Sequence, residues 1–215
     1  MPGKTHHEEL LRGTEAMQRL RRARIVLCGA GAIGSNLADV LARQGAERLV
    51  VIDRDRVEEH NISTQIFNEE DVGALKAEVV ANRIYDATGA EIDAVTRELT
   101  ADNIAKHLRE AEVVIDGFDN HASRQLVADF CGERQLPCLH AGLAADYAEV
   151  IWNEVYRVPR DDAGGPDVCD YPMARNLIGL CVAVTAEVLV RFVVDGLRES
   201  YTITLGDLQV NREQR

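Results

Sequence analysis

The sequence predicts an α/β protein with a Rossmann-like, doubly wound, mainly parallel sheet and antiparallel strands added toward the C-terminus. Three observations predict it. Short apolar, β-branched runs alternate with helical stretches from Arg24 to Ala141, which is the pattern of successive βαβ units. Gly29-Ala30-Gly31-Ala32-Ile33-Gly34 follows the first such run at once, and a G-x-G-x-x-G turn there brings backbone N–H groups and a helix N-terminus toward a phosphate. Beyond Tyr147 the pattern changes to denser strands.

Taken in order, Glu8–Arg22 reads as one N-terminal helix, with Leu10, Leu11, Met17 and Leu20 apolar. Arg24–Cys28 is the first strand. Leu49–Ile52 is the second, and it delivers Asp53 to the place where an acidic side chain accepts hydrogen bonds from ribose hydroxyls. Arg54–Gln65 is a polar loop. A helix opened by Val72–Lys76 runs to Thr88-Gly89, where glycine stops it. Glu91–Leu99 alternates and reads as a third strand, and a short helix follows from Thr100 to Arg109. Glu112–Asp116 is a buried strand, with Gly117–Asn120 as the turn beyond its carboxyl end, the edge at which open α/β sheets bind ligands. Ala122–Arg134 is a helix and Pro137–Ala141 a strand. Tyr147–Tyr156 is an antiparallel addition, Ala174–Gly196 a long apolar helix, and Tyr201–Val210 one or two closing strands.

The expected organisation is an N-terminal helical segment, residues 1–23, and a single nucleotide-binding domain, residues 24–215. Residues 158–172 form a crossing loop rich in proline, glycine and aspartate, and long loops of this kind carry function or disorder. At 215 residues, 46% hydrophobic and 28% charged, the composition is that of a globular protein with a sizeable core. A net charge of −12 argues against nucleic acid or an anionic membrane as partner, since both reward clustered positive charge. Five cysteines without a Cys-x-x-Cys pair give no structural zinc site and no disulfide framework, and point to a reducing cytoplasm. No leader opens the chain, and Arg191 interrupts the late apolar helix, so no membrane span is expected.

The glycine turn, Asp53, the Asn61–Gln65 loop, Lys76 and the Asp116–Asn120 turn converge on one pocket. Together, over roughly residues 20–200, they resemble the adenylating family of ThiF, MoeB and the ubiquitin-activating enzymes. The resemblance implies ATP-dependent activation, with Mg²⁺, of the C-terminal carboxylate of a small ubiquitin-like, β-grasp sulfur-carrier protein or peptide, and a homodimer. Gly29, Gly31 and Gly34 match the family's nucleotide turn. Asp53 matches its ribose-binding acid, and Asp55 the second acid of its D-x-D signature. Asn61 and Gln65 match the ends of N-x-x-R-Q, which touches the phosphates. Val72–Lys76 matches V-G-x-x-K, making Lys76 the phosphate lysine. Asp116, Asp119, Asn120 and Arg124 match D-x-x-D-N-x-x-x-R, in which the aspartate before the asparagine, here Asp119, handles magnesium.

The residue types suit that chemistry. A carboxylate attacking a negatively charged α-phosphate needs Mg²⁺ and cationic side chains to neutralise the growing charge. Asp119 is a hard oxygen donor, Lys76 a compact charge on a flexible stem, and Asn61 and Gln65 are neutral donors. Plainer roles stand beside these. Asp119 caps the next helix in one reading, Arg124 pairs with Asp116 or Asp119, and Asp55 braces the loop.

The chain departs from the family pattern at Thr64, where the phosphate-binding arginine is expected, and Arg12, Arg19 and Arg22 compete for the role of an N-terminal arginine that reaches a partner's site. Cys169, in the crossing loop, is the candidate nucleophile for later thiol transfer, although Asp167 and Asp170 beside it act against a lowered pKa. Cys138, with His140 two residues on, is a weaker candidate, and His140, Tyr147 and Trp152 are assigned to packing. The alternative to an enzyme is a catalytically degenerate nucleotide-binding partner subunit of an activating complex. An NAD-dependent oxidoreductase gives the Asn61–Gln65 and Lys76 pattern no role.

Overall fold

The structure, a computed structural model, describes residues 2–159 and 172–213. Strands β1 (Arg24–Cys28), β2 (Arg48–Ile52), β3 (Asp93–Val95), β4 (Val113–Asp116), β5 (Cys138–Ala144), β6 (Tyr147–Trp152), β7 (Tyr201–Thr204) and β8 (Gln209–Arg212) form one sheet in the order β3-β2-β1-β4-β5-β6-β7-β8. The first five pair in parallel, and β6, β7 and β8 are added antiparallel. The strand order therefore reverses between β1 and β4. In a doubly wound sheet that reversal opens the ligand crevice at the carboxyl ends of the strands.

The central strands read as continuous apolar runs because helices cover both faces. On β1, Ile25 and Leu27 enter one core with Met17, Leu20, Leu41, Ile84 and Leu189, while Val26 and Cys28 enter the other with Leu108, Val127 and Phe130. The first core is covered by helices α2 (Thr14–Arg22), α3 (Ala32–Gln44), α4 (Lys76–Thr88) and α7 (Arg175–Asp195). The second is covered by α5 (Ile104–Leu108) and α6 (His121–Arg134).

Several boundaries differ from the sequence expectation. The N-terminal helix is two helices, α1 (His6–Arg12) and α2, broken at Gly13, whose φ of +86° a helix does not accommodate. α4 begins at Lys76 rather than Val72, because Leu75 is an extended cap and Gly73 sits at φ +90°. The third strand is only Asp93–Val95, on the sheet edge with β2 as its one neighbour, and α5 is likewise short. β5 runs past Ala141 to Ala144 because β6 pairs along its whole length, while β6 itself ends at Trp152.

α7 also corrects the expectation about apolar runs. At 21 residues it is long and apolar enough by composition to cross a membrane, yet 56% of that stretch is buried within this protein, against α3, β5 and β6. Arg191 is tolerated because its guanidinium lies at the surface, 2.9 Å from Glu187 and 3.3 Å from Glu199.

Glu187 also ties α1 to α7. Arg12 Nη2 lies 2.7 Å from it, and Arg12 Nε lies 2.6 Å from Glu8. Burial raises the Glu187 pKa, but bonds to Arg12 and Arg191 outweigh burial and hold it below its ordinary 4.5. This stabilisation is complete above pH 4.5 and is lost as pH falls through the lower folded value. Melting curves of wild type and Glu187→Gln should therefore differ at neutral pH and converge in acid. A gap that persists in acid would mean that the tie is not ionic.

Candidate functional site

The crevice is built by four chain segments that leave the carboxyl edge of the sheet. After β1, the Gly29 N–H donates to the Ile52 carbonyl at 2.8 Å, locking the glycine turn to the end of β2. Gly29 adopts φ +99°, and a Cβ there would stand 2.9 Å from the Gly117 carbonyl oxygen. The turn after β1 and the turn after β4 thus touch backbone to backbone, which only glycine permits. A Cβ on Gly34 would fall 1.9 Å from the Gly29 carbonyl oxygen, so the first turn of α3 is folded tightly back on the same loop.

Asp53 fastens the second segment to the first. Its Oδ2 accepts from the Ala30 N–H and its Oδ1 from the Asp55 N–H, both at 2.7 Å. Burial raises its pKa, opposed by those two bonds and by the charge of Lys76. Asp55 accepts the Lys76 N–H on its carbonyl at 2.9 Å, and its carboxylate lies 3.9 Å from Lys76 Nζ. Lys76 is buried to 9% exposure with its charge at the crevice, so this lysine is not a solvated surface residue.

The turn after β4 presents Asp119 and Asn120, both exposed. Asn120, not Asp119, caps α6: its Oδ1 accepts from the Ser123 N–H at 2.9 Å. That leaves the Asp119 carboxylate with a 3.3 Å bond from Asn120 Nδ2 and no ion pair among the described residues. Arg124 pairs with neither Asp116 nor Asp119. Its Nε donates to the Phe118 carbonyl at 2.6 Å.

Gly29, Gly31, Asp53, Asp55, Lys76, Asp119 and Asn120 line one pocket. Gly34, Asn61 and Gln65 do not. Asn61 and Gln65 are buried at 4% and 7% exposure. Asn61 Oδ1 accepts from the Glu58 N–H at 2.9 Å, closing a short 3₁₀ turn, Glu59–Ser63. Gln65 Oε1 has no partner among the described residues. The Thr64 carbonyl accepts from Asn36 Nδ2 at 3.0 Å, so the loop leans on α3. For Asn61 the reason is local: its amide oxygen is committed to the orphan N–H of a tight turn, which holds the side chain beside the loop rather than at the pocket wall.

The pocket also holds Arg54, Arg97, Leu99, Phe118 and Ser123, and Arg175 Nη1 reaches the Gln65 carbonyl at 3.3 Å. These residues occupy positions that no sequence motif specifies. The usable signal was position: Arg97 and Leu99 follow β3 at its carboxyl end, but a strand drawn through to Leu99 hid them. A larger hollow of about 310 Å³ lies between α3 and α7. It is lined by none of the expected site residues, so the chemistry is assigned to the crevice.

Cys28, Cys131, Cys138 and Cys181 are free and buried. A bond with Cys131 and burial hold the Cys138 thiol well up, burial and then Asp116 do so for Cys28, and burial pushes Cys181 up to about 12. None meets the need of a nucleophile for exposure and a lowered pKa, which removes Cys138. Cys169 lies outside the described residues. Of the three N-terminal arginines, Arg12 is held by Glu8 and Glu187, and Arg19 by Glu15 and the Val194 carbonyl; Arg22 is exposed.

A backbone cradle, a buried lysine and an uncommitted carboxylate at the switch point define a nucleotide-binding α/β domain. The chain belongs to the ThiF family, which it matches over residues 7–197. It is 30% identical over 153 residues to the sulfur carrier protein ThiS adenylyltransferase of Bacillus subtilis, covering 68% of this chain and 46% of that one. It is 36% identical over 119 residues to the sulfur carrier protein adenylyltransferase of Thermus thermophilus, covering 54% and 44%. Human ubiquitin-like modifier-activating enzyme 7 is 31% identical over 181 residues, covering 75% of this chain and 17% of that enzyme. The matches thus span less than half of these relatives. The crystal structure of E. coli MccB with AMPCPP and MccA superposes with a TM-score of 0.81 at 18% identity, covering 98% of this chain and 71% of that chain. That likeness confirms the Rossmann-like fold with its C-terminal antiparallel strands.

Proposed function

We propose that this protein adenylates the C-terminal carboxylate of a small ubiquitin-like or sulfur-carrier protein, or of a peptide, using MgATP. The carboxylate attacks the α-phosphorus, the bond to the β-phosphate breaks, and acyl-adenylate and pyrophosphate form. The observation that supports this most is the Asp119 carboxylate, which lines one pocket with the glycine turn and Lys76 and makes no ion pair among the described residues. Relatives named as sulfur carrier protein adenylyltransferases, and MccB, crystallised with AMPCPP and MccA, point the same way.

Magnesium fits this donor set. Among the described residues no group of three or more His, Cys, Asp or Glu forms a cage, and Mg²⁺ favours one or two carboxylates completed by phosphate oxygens and water. When bound, the metal supplies charge neutralisation at the triphosphate. Asp119 would hold it, Lys76 would hold phosphate, and Leu99 and Phe118 would give an apolar wall for the base. Asn61 and Gln65 keep a part in this reading by shaping the phosphate side of the crevice.

Arg97, which lines the crevice, and Arg175, which donates to the Gln65 carbonyl, are the candidates for the positive charge that Thr64 does not supply. Each single alanine substitution should raise the ATP KM by about tenfold, the worth of one charge-assisted hydrogen bond. Two unchanged KM values would show that Thr64 is uncompensated.

The same proposal places the protein in the cytoplasm with reduced thiols and pairs it as a homodimer. α7 spends most of its surface in its own core, so the supporting surface is α1, where Leu10 and Leu11 are 71% and 76% exposed. Nucleic acid and membrane are excluded from the proposal on charge. Cys169 is retained as the candidate acceptor of the activated acyl group. The second reading, a degenerate partner subunit, is favoured by Thr64 alone. Exchange of labelled pyrophosphate into ATP, driven by candidate carrier proteins ending in Gly-Gly, separates the two. Exchange supports the enzyme; MgATP binding without exchange for any carrier supports the partner subunit.

A further inference from the structure

Behind the turn that presents Asp119 lies a buried polar ring that the proposed chemistry does not use. Asp116, at the end of β4, is 1% exposed, as is His140 on β5. His140 Nδ1 lies 3.1 Å from Asp116 Oδ2. In the tautomer with its proton on Nδ1, the imidazole donates to that oxygen. The other oxygen, Asp116 Oδ1, accepts from the Phe118 N–H at 3.2 Å. The Phe118 carbonyl is taken by Arg124 Nε at 2.6 Å. Phe118, the residue before Asp119, is thus held through both its backbone N–H and its carbonyl.

The imidazole is itself fixed. Tyr156 stacks on it at 3.7 Å between ring centroids, 15° from parallel. A Cβ at position 142 would stand 2.9 Å from His140 Nε2 and 3.9 Å from Arg124 Nη2, so Gly142 leaves the room these two side chains occupy. Nε2 lies 3.6 Å from Glu149 and makes no hydrogen bond among the described residues; the working contact is the one at Nδ1.

We propose that His140 is a positioning residue for Asp119. By donating to Asp116 it sets that carboxylate so that its second oxygen anchors the Phe118 amide, and this fixes the direction in which Asp119 leaves the turn. The metal end of the proposal rests on the adenylation reading; the ordering of the turn does not. Without the imidazole, Asp116 is a buried carboxylate lacking one partner, and such a group rearranges toward any donor it can reach.

The test compares His140→Leu with His140→Asn, whose amide nitrogen occupies the place of Nδ1. In ligand-free protein, amide exchange at Phe118 and Asn120 should quicken by about tenfold or more in His140→Leu and return close to wild type in His140→Asn, while Val26 and Val150 stay protected. In calorimetry, the magnesium-dependent part of ATP affinity should fall about tenfold in His140→Leu and recover in His140→Asn, with metal-free ATP binding unchanged. Wild-type exchange at Phe118 in His140→Leu would overturn the proposal, as would a His140→Asn protein no better than His140→Leu. Should His140→Leu not fold, His140→Gln, whose amide reaches the place of Nε2 instead, carries the same comparison. Altered exchange in a protein whose wild type binds no MgATP would sink the adenylation reading and leave the ordering of the turn standing.

Discussion

Asp119→Asn should remove magnesium-dependent ATP binding and cut pyrophosphate exchange by on the order of 100-fold or more, the usual cost of losing one preorganised electrostatic group at a reacting phosphate. The fold should not change. Asp119 is exposed, caps nothing and makes no ion pair among the described residues, so its only loss is one 3.3 Å bond from Asn120. Melting temperature and circular dichroism should match wild type. Lys76→Ala gives the necessary contrast, since Lys76 is buried beside Asp55 and its loss should weaken nucleotide binding with or without metal. If Asp119→Asn kept its magnesium dependence, the metal would belong elsewhere in the crevice.

The second large effect lies in the glycine turn, where two similar substitutions should fail for opposite reasons. Gly34→Ala places a Cβ 1.9 Å from the Gly29 carbonyl oxygen, a backbone atom that cannot rotate away. Overpacking of that kind should cost about 3 kcal/mol, or about 6–12 °C in Tm for a domain of this size. Gly31→Ala meets no protein atom within 4 Å and has φ −78°. Its stability should stay within about 1 kcal/mol of wild type. The added methyl nevertheless enters the pocket that Gly31 lines, where the proposed phosphate would sit, so ATP affinity should drop by on the order of 100-fold, as an N–H to phosphate contact is pushed open. A Gly31→Ala protein that binds ATP normally would show that the turn is a packing device only.

Much of this fold was legible because its determinants are local. The apolar runs of β1 and β4, the caps at Gly89 and Gly196, and the G-x-G-x-x-G turn each fix their own segment, and the parallel order follows from their alternation. The pocket members Asp53, Lys76, Asp119 and Asn120 were legible for the same reason, since each stands directly at the end of a strand or the start of a helix. What was not legible depends on contacts far apart in sequence. Arg97 reaches the pocket only because β3 stops at Val95, and a three-residue edge strand has too little pattern to show its end. Arg175 meets Gln65 across 110 positions of chain. Asn61 matches the phosphate segment through N-x-x-R-Q, and nothing in its neighbours shows that its oxygen also closes a turn at Glu58. His140 was assigned to packing because its partner Asp116 lies 24 residues away on the next strand.

The central claim is that the crevice takes a nucleoside triphosphate with magnesium rather than a dinucleotide. Calorimetric titration of the wild-type protein with ATP, with and without Mg²⁺, and with NAD tests it most directly. ATP should bind, and more tightly with magnesium, while NAD should bind weakly or not at all. NAD binding without ATP binding would contradict it.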